Sequence, residues 1–209
     1  MAIIHLVRHG ETEWNLQGRM QGQLNSPLTE LGKRQATQLG DKLAQYSFDH
    51  ALCSSSGRTQ QTAKMILEGR VIPLQTRDEL REIGLGAWEG QAKQDIKRRD
   101  PENYWHFWHR PDLYRRTEGG ESFSEFMSRV SQAFNNIVRQ YQGQEILVVT
   151  HMVFIKALLT LQSGRTLSRL WLPPQVDNCC HWMVRKQVPG RYALTDMGAL
   201  SRAEAGTAG

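Results

Sequence analysis

The run Ile3-Ile-His-Leu-Val7 is apolar apart from one histidine and stops at Arg8-His9-Gly10. A segment so short and apolar, ended by polar residues and a glycine, reads as a buried strand that gives out into a loop. The same texture returns near Phe48 to Cys53, at Val71 to Leu74 and from Glu145 to Thr150. Helical segments lie between. Thr29 caps a helix with Leu31, Ala36, Leu39, Leu43 and Tyr46 on one face, and Ser54 or Ser55 caps another that carries Ala63, Ile66 and Leu67. From Glu121 to Tyr141, Phe123, Phe126, Met127, Val130, Phe134, Ile137 and Val138 recur at helical spacing, and His151 opens a helix that reaches about Leu161. His181 to Lys186 and Arg191 to Thr195 flank Pro189-Gly190 and predict a terminal hairpin. Strands alternating with helices predict an α/β fold, a three-layer α/β/α sandwich on a mainly parallel sheet.

No repeat or linker divides the chain, so residues 1–200 are expected to form one domain, followed by a small, polar, flexible tail at 201–209. The segment 91–118 differs in texture. Tyr104, Trp105, Phe107, Trp108 and Tyr114 are interleaved with basic residues and two prolines, which predicts short helices and loops forming a cap.

In open sheets of this kind ligands bind beyond the carboxyl ends of the strands. Three of the predicted strands end in Arg8-His9, in the loop leading to Arg58, and in His151. The net charge of +5 indicates attraction to anions. Nucleic acid is a poor fit, since the basic residues are scattered and no zinc finger, RNA-recognition signature or basic helix appears; a small phosphorylated metabolite explains the charge. No apolar run approaches the roughly 20 residues that span a bilayer, so no membrane partner is expected. Arg8 and His9 interrupt the N-terminal apolar stretch before a cleavable signal forms. The three cysteines, Cys53 alone and Cys179 beside Cys180, suit neither a disulfide framework nor a zinc knuckle; they read as small buried residues of a cytoplasmic protein. The choice between monomer and homodimer stays open.

Phosphoryl transfer without a metal needs a neutral nucleophile, fixed cations around the phosphate and an acid for the leaving oxygen. Arg8, His9, Arg58, His151 and Glu82 supply that list. An arginine fork holds two phosphate oxygens at once. Each cation about 4 Å from a phosphate charge contributes on the order of 4 kcal/mol at an effective dielectric near 20, before desolvation. The two arginines also disfavour protonation of His9, leaving its imidazole free at neutral pH.

The run Leu6-Val-Arg-His-Gly-Glu-Thr-Glu-Trp-Asn15 resembles the signature of the histidine phosphatase superfamily, in its phosphoglycerate-mutase-like branch. The resemblance continues, in order, through Ser26-Pro-Leu-Thr-Glu-Leu-Gly32, Arg58-Thr-Gln-Gln-Thr-Ala63, Leu80 to Gly90, Gly119-Gly-Glu-Ser122 and Val148-Val-Thr-His151. It implies that His9 accepts the phosphoryl group while Arg8, Arg58 and His151 hold the phosphate. Glu82 matches the acid that protonates the leaving group and later activates water. Asn15, Gln21 and Gly22 fall where the family contacts the phosphate or its substituent. No cofactor and no metal is implied. Two departures stand out: Met152 follows the second histidine where family members usually have glycine, and Ser55-Ser56 replaces the usual Pro-Leu. Met152 is therefore expected to narrow the pocket or to shift a backbone contact to phosphate.

Several residues carry a plainer reading. Glu79, Glu82 and Glu89 lie close together, and solvated carboxylates are the usual state; the block match selects Glu82. His106 and His109, three apart, lack a cysteine or carboxylate pair to complete a metal site. His5 and His181 are expected to be structural. Arg115 and Arg116 fit either a substrate carboxylate or a solvated loop.

The expected activity is a metal-independent phosphatase of small phosphomonoesters. A phosphoglycerate mutase is the alternative, but those enzymes carry Glu-Arg-His-Tyr-Gly at the acid, where this chain has Glu82-Ile-Gly-Leu-Gly86. Trp88-Glu-Gly90 is instead similar to broad-specificity and α-ribazole phosphatases. A non-catalytic phosphate sensor ranks last, having no need of both a nucleophile and an acid.

Overall fold

The computed structural model describes residues 2–188 and 190–198; Pro189 and the predicted tail at 201–209 lie outside them. One mixed sheet of six strands runs through the molecule in the order β3-β2-β4-β1-β5-β6. β1 (Ile3–Arg8), β2 (His50–Ser54), β3 (Leu74–Arg77) and β4 (Glu145–Thr150) are parallel, and β5 (His181–Val188) and β6 (Arg191–Asp196) add an antiparallel hairpin beside β1.

Alternate strand residues face opposite ways, and here both faces are covered. Val7, Ala51, Cys53, Leu147 and Val149 pack with Ala36 and Leu39 of α2 (Glu30–Leu43) and Ala63 and Ile66 of α3 (Gly57–Ile66). Ile4, Leu6, Leu52, Ile146 and Val148 pack on the other side with α6 (Phe123–Gln140) and α7 (Met152–Gln162). The three layers expected from the alternation are these. α2 starts at Thr29, whose side chain accepts from the Gly32 amide. Ser122 caps α6 in a reciprocal box with Glu125, so this helix starts two residues later than the apolar spacing implied.

Two sequence expectations need correction. The third strand is Leu74–Arg77 and not Val71 to Leu74. Val71 is fully exposed, while Ala51↔Leu74 through Ser54↔Arg77 set the pairing, so an edge strand of polar residues follows the apolar run. Ser56 occupies the N-cap position of α3 without a side-chain capping bond, and Ser54 and Ser55 turn their hydroxyls to His151 and Asp78.

The segment 91–118 holds α4 (Lys93–Arg99) and α5 (Pro101–His109). Its aromatic residues pack the cap down: Phe107 lies 5.9 Å from Trp88, 5.2 Å from Tyr114 and 5.2 Å from Phe123. The short helix α1 (Glu13–Leu16) follows the end of β1.

A buried polar chain links the sheet to the hairpin. His5 Nδ1 is 2.9 Å from His181 Nε2, and His5 Nε2 is 2.7 Å from Glu145 Oε1. Neutral rings satisfy it in sequence, His181 donating to His5 and His5 to the carboxylate; a second proton on His5 sets N–H against N–H. Burial pushes both imidazoles down to about 4. Between about pH 6.5 and 4 the unfolded chain therefore binds protons that the folded one refuses, and stability falls as pH falls through that window. The loss is on the order of 3 kcal/mol for each imidazole that must charge. Urea midpoints at pH 7 and pH 4.5 should show it, and the double variant His5→Phe, His181→Phe should flatten the slope.

Candidate active site

The parallel register brings distant residues together. Arg8 pairs with Thr150 and Cys53 with Val149, so β1, β4 and β2 end side by side and deliver Arg8-His9, His151 and Ser54 to one edge of the sheet. α3 adds Arg58 from its first turn. The Arg58 side chain is 1% exposed, a burial a guanidinium tolerates only when its donors are used. Nη1 donates to the Leu24 carbonyl at 2.6 Å, Nη2 to the Gly22 carbonyl at 2.8 Å, and Nε points at His9 Nε2 at 3.3 Å.

Partners assign the tautomers of both rings. His9 Nδ1 is 2.8 Å from the Gly10 carbonyl, which can only accept, so Nδ1 carries the proton and Nε2 keeps its lone pair. His151 Nδ1 lies 3.1 Å from Arg58 Nη2, which can only donate, so its proton is on Nε2, 2.8 Å from Ser54 Oγ. Both rings are held well below the usual imidazole range, chiefly by burial and then by Arg58. Arg8 donates Nη1 to the Val176 carbonyl at 2.8 Å, while its buried Nε has no partner among the described residues.

Glu82 lies beneath the first turn of α7. Its Oε2 accepts from the Val153 amide at 3.0 Å, and its Oε1 from those of Phe154 at 3.2 Å and Ile83 at 3.1 Å. These donors, with Arg58 and Arg8, favour the carboxylate; burial outweighs them and holds the carboxyl above its ordinary range. A neutral imidazole whose Nε2 lone pair faces Arg58, two arginines and a carboxyl inclined to keep its proton can together displace an oxygen from phosphorus.

Around them is a pocket of about 500 Å³, open to solvent. Asn15, Gln21, Gly22 and Met152 line it, as the sequence suggested. Arg115 and Arg116 do not: they are exposed and pair with Glu102 at 3.6 Å and Glu125 at 2.8 Å, which is the solvated-loop reading. Lys93 and Arg19, which the sequence reading did not single out, also line the pocket, together with Trp108 of the aromatic cap. Lys93 lies 5.4 Å from the Trp108 ring, and burial lowers its pKa. A lysine opening the first cap helix was the available signal. No three His, Cys, Asp or Glu side chains gather as a metal would need among the described residues, and His109 is stacked on Trp105 at 4.9 Å.

Glu89 was also missed. Its Oε1 accepts from the amides of Gln23 at 2.8 Å and Leu85 at 2.9 Å and so ties the 21–23 turn to the acid loop. Gly22 adopts a φ of +52°, and a Cβ there would meet that oxygen at 2.2 Å. Gly22→Ala is expected to cost about 1–2 kcal/mol from the left-handed backbone alone, read as a lowered Tm, and to weaken phosphate binding by displacing the carbonyl under Arg58.

The sequence profile of the Histidine phosphatase superfamily (branch 1) matches residues 4–195. Among curated proteins, the adenosylcobalamin/α-ribazole phosphatase of Escherichia coli is 35% identical over 79% of this chain and 81% of its own length. The probable phosphoglycerate mutase GpmB of Yersinia pestis is 35% identical over 78% of this chain and 76% of its own. Among solved structures, Bacillus stearothermophilus YhfR superposes with a TM-score of 0.91 at 36% identity, covering 96% of this chain and 98% of that one. Profile, relatives and superposition agree with the site geometry: the chain is an enzyme of the histidine phosphatase superfamily.

Proposed function

We propose that this enzyme hydrolyses small phosphomonoesters through a phosphohistidine on His9. The observation that carries the reading is the lone pair of His9 Nε2, set by the Nδ1 contact with Gly10 and facing Arg58 within the same pocket as a buried Glu82.

In the first step Nε2 attacks phosphorus as the ester P–O bond breaks, and Glu82 gives its proton to the departing oxygen. Arg8 and Arg58 balance the phosphoryl oxygens, which carry charge in both ground and transition states. His151 completes the cradle from the other strand end. In the second step the Glu82 carboxylate takes a proton from water, the hydroxide oxygen bonds to phosphorus, and the P–N bond breaks to release inorganic phosphate. His9 and Glu82 return to their starting protonation.

Mutases form the same intermediate but return the phosphoryl group to a second hydroxyl, and the relatives include proteins named for each outcome. The pocket wall at Leu85 offers no hydroxyl to position a second acceptor, which supports water. Inorganic phosphate release from a panel of phosphomonoesters, phosphoglycerates included, tests this in EDTA. Release with no phosphoryl exchange between positions supports the phosphatase. Exchange without release would assign the mutase.

A further inference from the structure

The block Gly119-Gly-Glu-Ser122 lies outside the pocket, yet Glu121 reaches the acid loop from behind. Glu121 Oε2 accepts from the Gly84 amide at 2.7 Å. The same carboxylate forms a two-point pair with Arg129 of α6, Oε1 to Nε at 2.9 Å and Oε2 to Nη2 at 2.7 Å. Arg129 then spends its other donors on one short stretch of backbone: Nη1 on the carbonyls of Glu79 at 3.0 Å and Arg81 at 2.8 Å, and Nη2 on that of Glu82 at 3.1 Å. The guanidinium also packs 4.9 Å from the Phe126 ring centroid, so it approaches from one direction.

Every donor of this fork is therefore in use. The carbonyls on one side of residue 82 and the amide of Gly84 on the other are fixed to a single ion pair. The carboxyl itself is fixed separately, at the first turn of α7. An aliphatic side chain at 129 would remove the donor from the Glu79 and Arg81 carbonyls and leave that of Glu82 only Gln23 Nε2 at 3.3 Å, and lysine would offer a point charge where a planar fork is needed.

Resting on the proposed role of Glu82 as acid, we infer that Arg129 and Glu121 are positioning residues that brace the Glu79–Gly84 loop and thereby aim the Glu82 proton at the leaving oxygen. The brace touches neither His9 nor the phosphate cations, so its loss should spare the nucleophile and substrate binding. Released from its brace, the loop admits water to Glu82, and the carboxyl moves back toward its ordinary range.

The test compares kcat/KM on an alkyl phosphate and on p-nitrophenyl phosphate for wild type, Arg129→Met, Arg129→Lys, Glu121→Gln and Glu82→Gln, with Tm for each. Arg129→Met should lose about 10- to 100-fold on the alkyl ester, the scale of a misplacement of about 1 Å, with little change in KM and a far smaller loss on the aryl ester. Arg129→Lys should fall between, and the alkaline limb of the pH profile should shift to lower pH. Placed on Glu82→Gln, Arg129→Met should add almost nothing. Equal losses on both esters, or fully additive losses in the double variant, would overturn the brace. Should Arg129→Met not fold, Glu121→Gln carries the same comparison. If Glu82→Gln discriminates between esters and the brace variants do not, the brace alone falls. If Glu82→Gln itself fails to discriminate, the acid assignment falls and takes the brace with it.

Discussion

His9→Ala is expected to abolish turnover, by at least about 10⁴-fold in kcat, while leaving anion binding within about tenfold of wild type. The split follows from the proposed mechanism, in which His9 contributes a neutral lone pair and the charge that holds a phosphate comes from Arg8 and Arg58. Arg58 keeps its two carbonyl contacts, to Leu24 and Gly22, when the imidazole is gone. Titration calorimetry with inorganic phosphate, beside an acid-labile and alkali-stable label trapped from a radioactive ester, checks both halves. Wild type should carry the label and the variant should not. Ordinary turnover in the variant would eliminate the covalent route, and loss of binding together with turnover would mean that the pocket had collapsed.

Glu82→Gln should lose about 10²- to 10⁴-fold on alkyl phosphates, the usual contribution of a positioned general acid. On p-nitrophenyl phosphate the loss of the first step should be much smaller, since that oxygen departs without a proton. The pH dependence carries the sign. Burial holds the Glu82 carboxyl above its ordinary range, so its acid form persists to higher pH than a solvated glutamate would. Wild-type activity on alkyl esters should then fall as pH rises through that value, and the limb should vanish in Glu82→Gln. His9 is held well below the usual imidazole range, so the nucleophile stays deprotonated far into acid and the acidic limb lies at low pH. Equal losses on the two esters would assign Glu82 a structural role.

Residues whose placement follows from local chemistry were legible in the sequence. Arg8-His9 and His151 end apolar strands, and strand ends gather ligands whatever the connecting helices do. Thr29 and the amphipathic α6 follow from capping and period alone. The edge strand was misplaced because Val71 has the side chain of a strand but no neighbour to pair with, whereas Gln75 and Thr76 have the neighbour and need no apolar face. Arg115 and Arg116 attracted a binding role by charge; only coordinates could reveal Glu102 and Glu125 already beside them. Lys93, Glu89 and Arg129 act across long sequence separations, through contacts with backbone or with a pocket wall that no period in the chain encodes.

The pairing of Arg8 with Thr150 has a consequence for how the enzyme comes into being. β1 is made long before its parallel neighbour β4 and the antiparallel β5, with most of the sheet and helices lying between them in sequence. Such pairings close large loops before any contact rewards them, which makes them late events in folding. His9 thus waits without His151 beside it while the chain between β1 and β4 is synthesised. A refolding chain should regain helical signal well before it regains activity, and recovered turnover should mark the moment when β1 slots between β4 and β5.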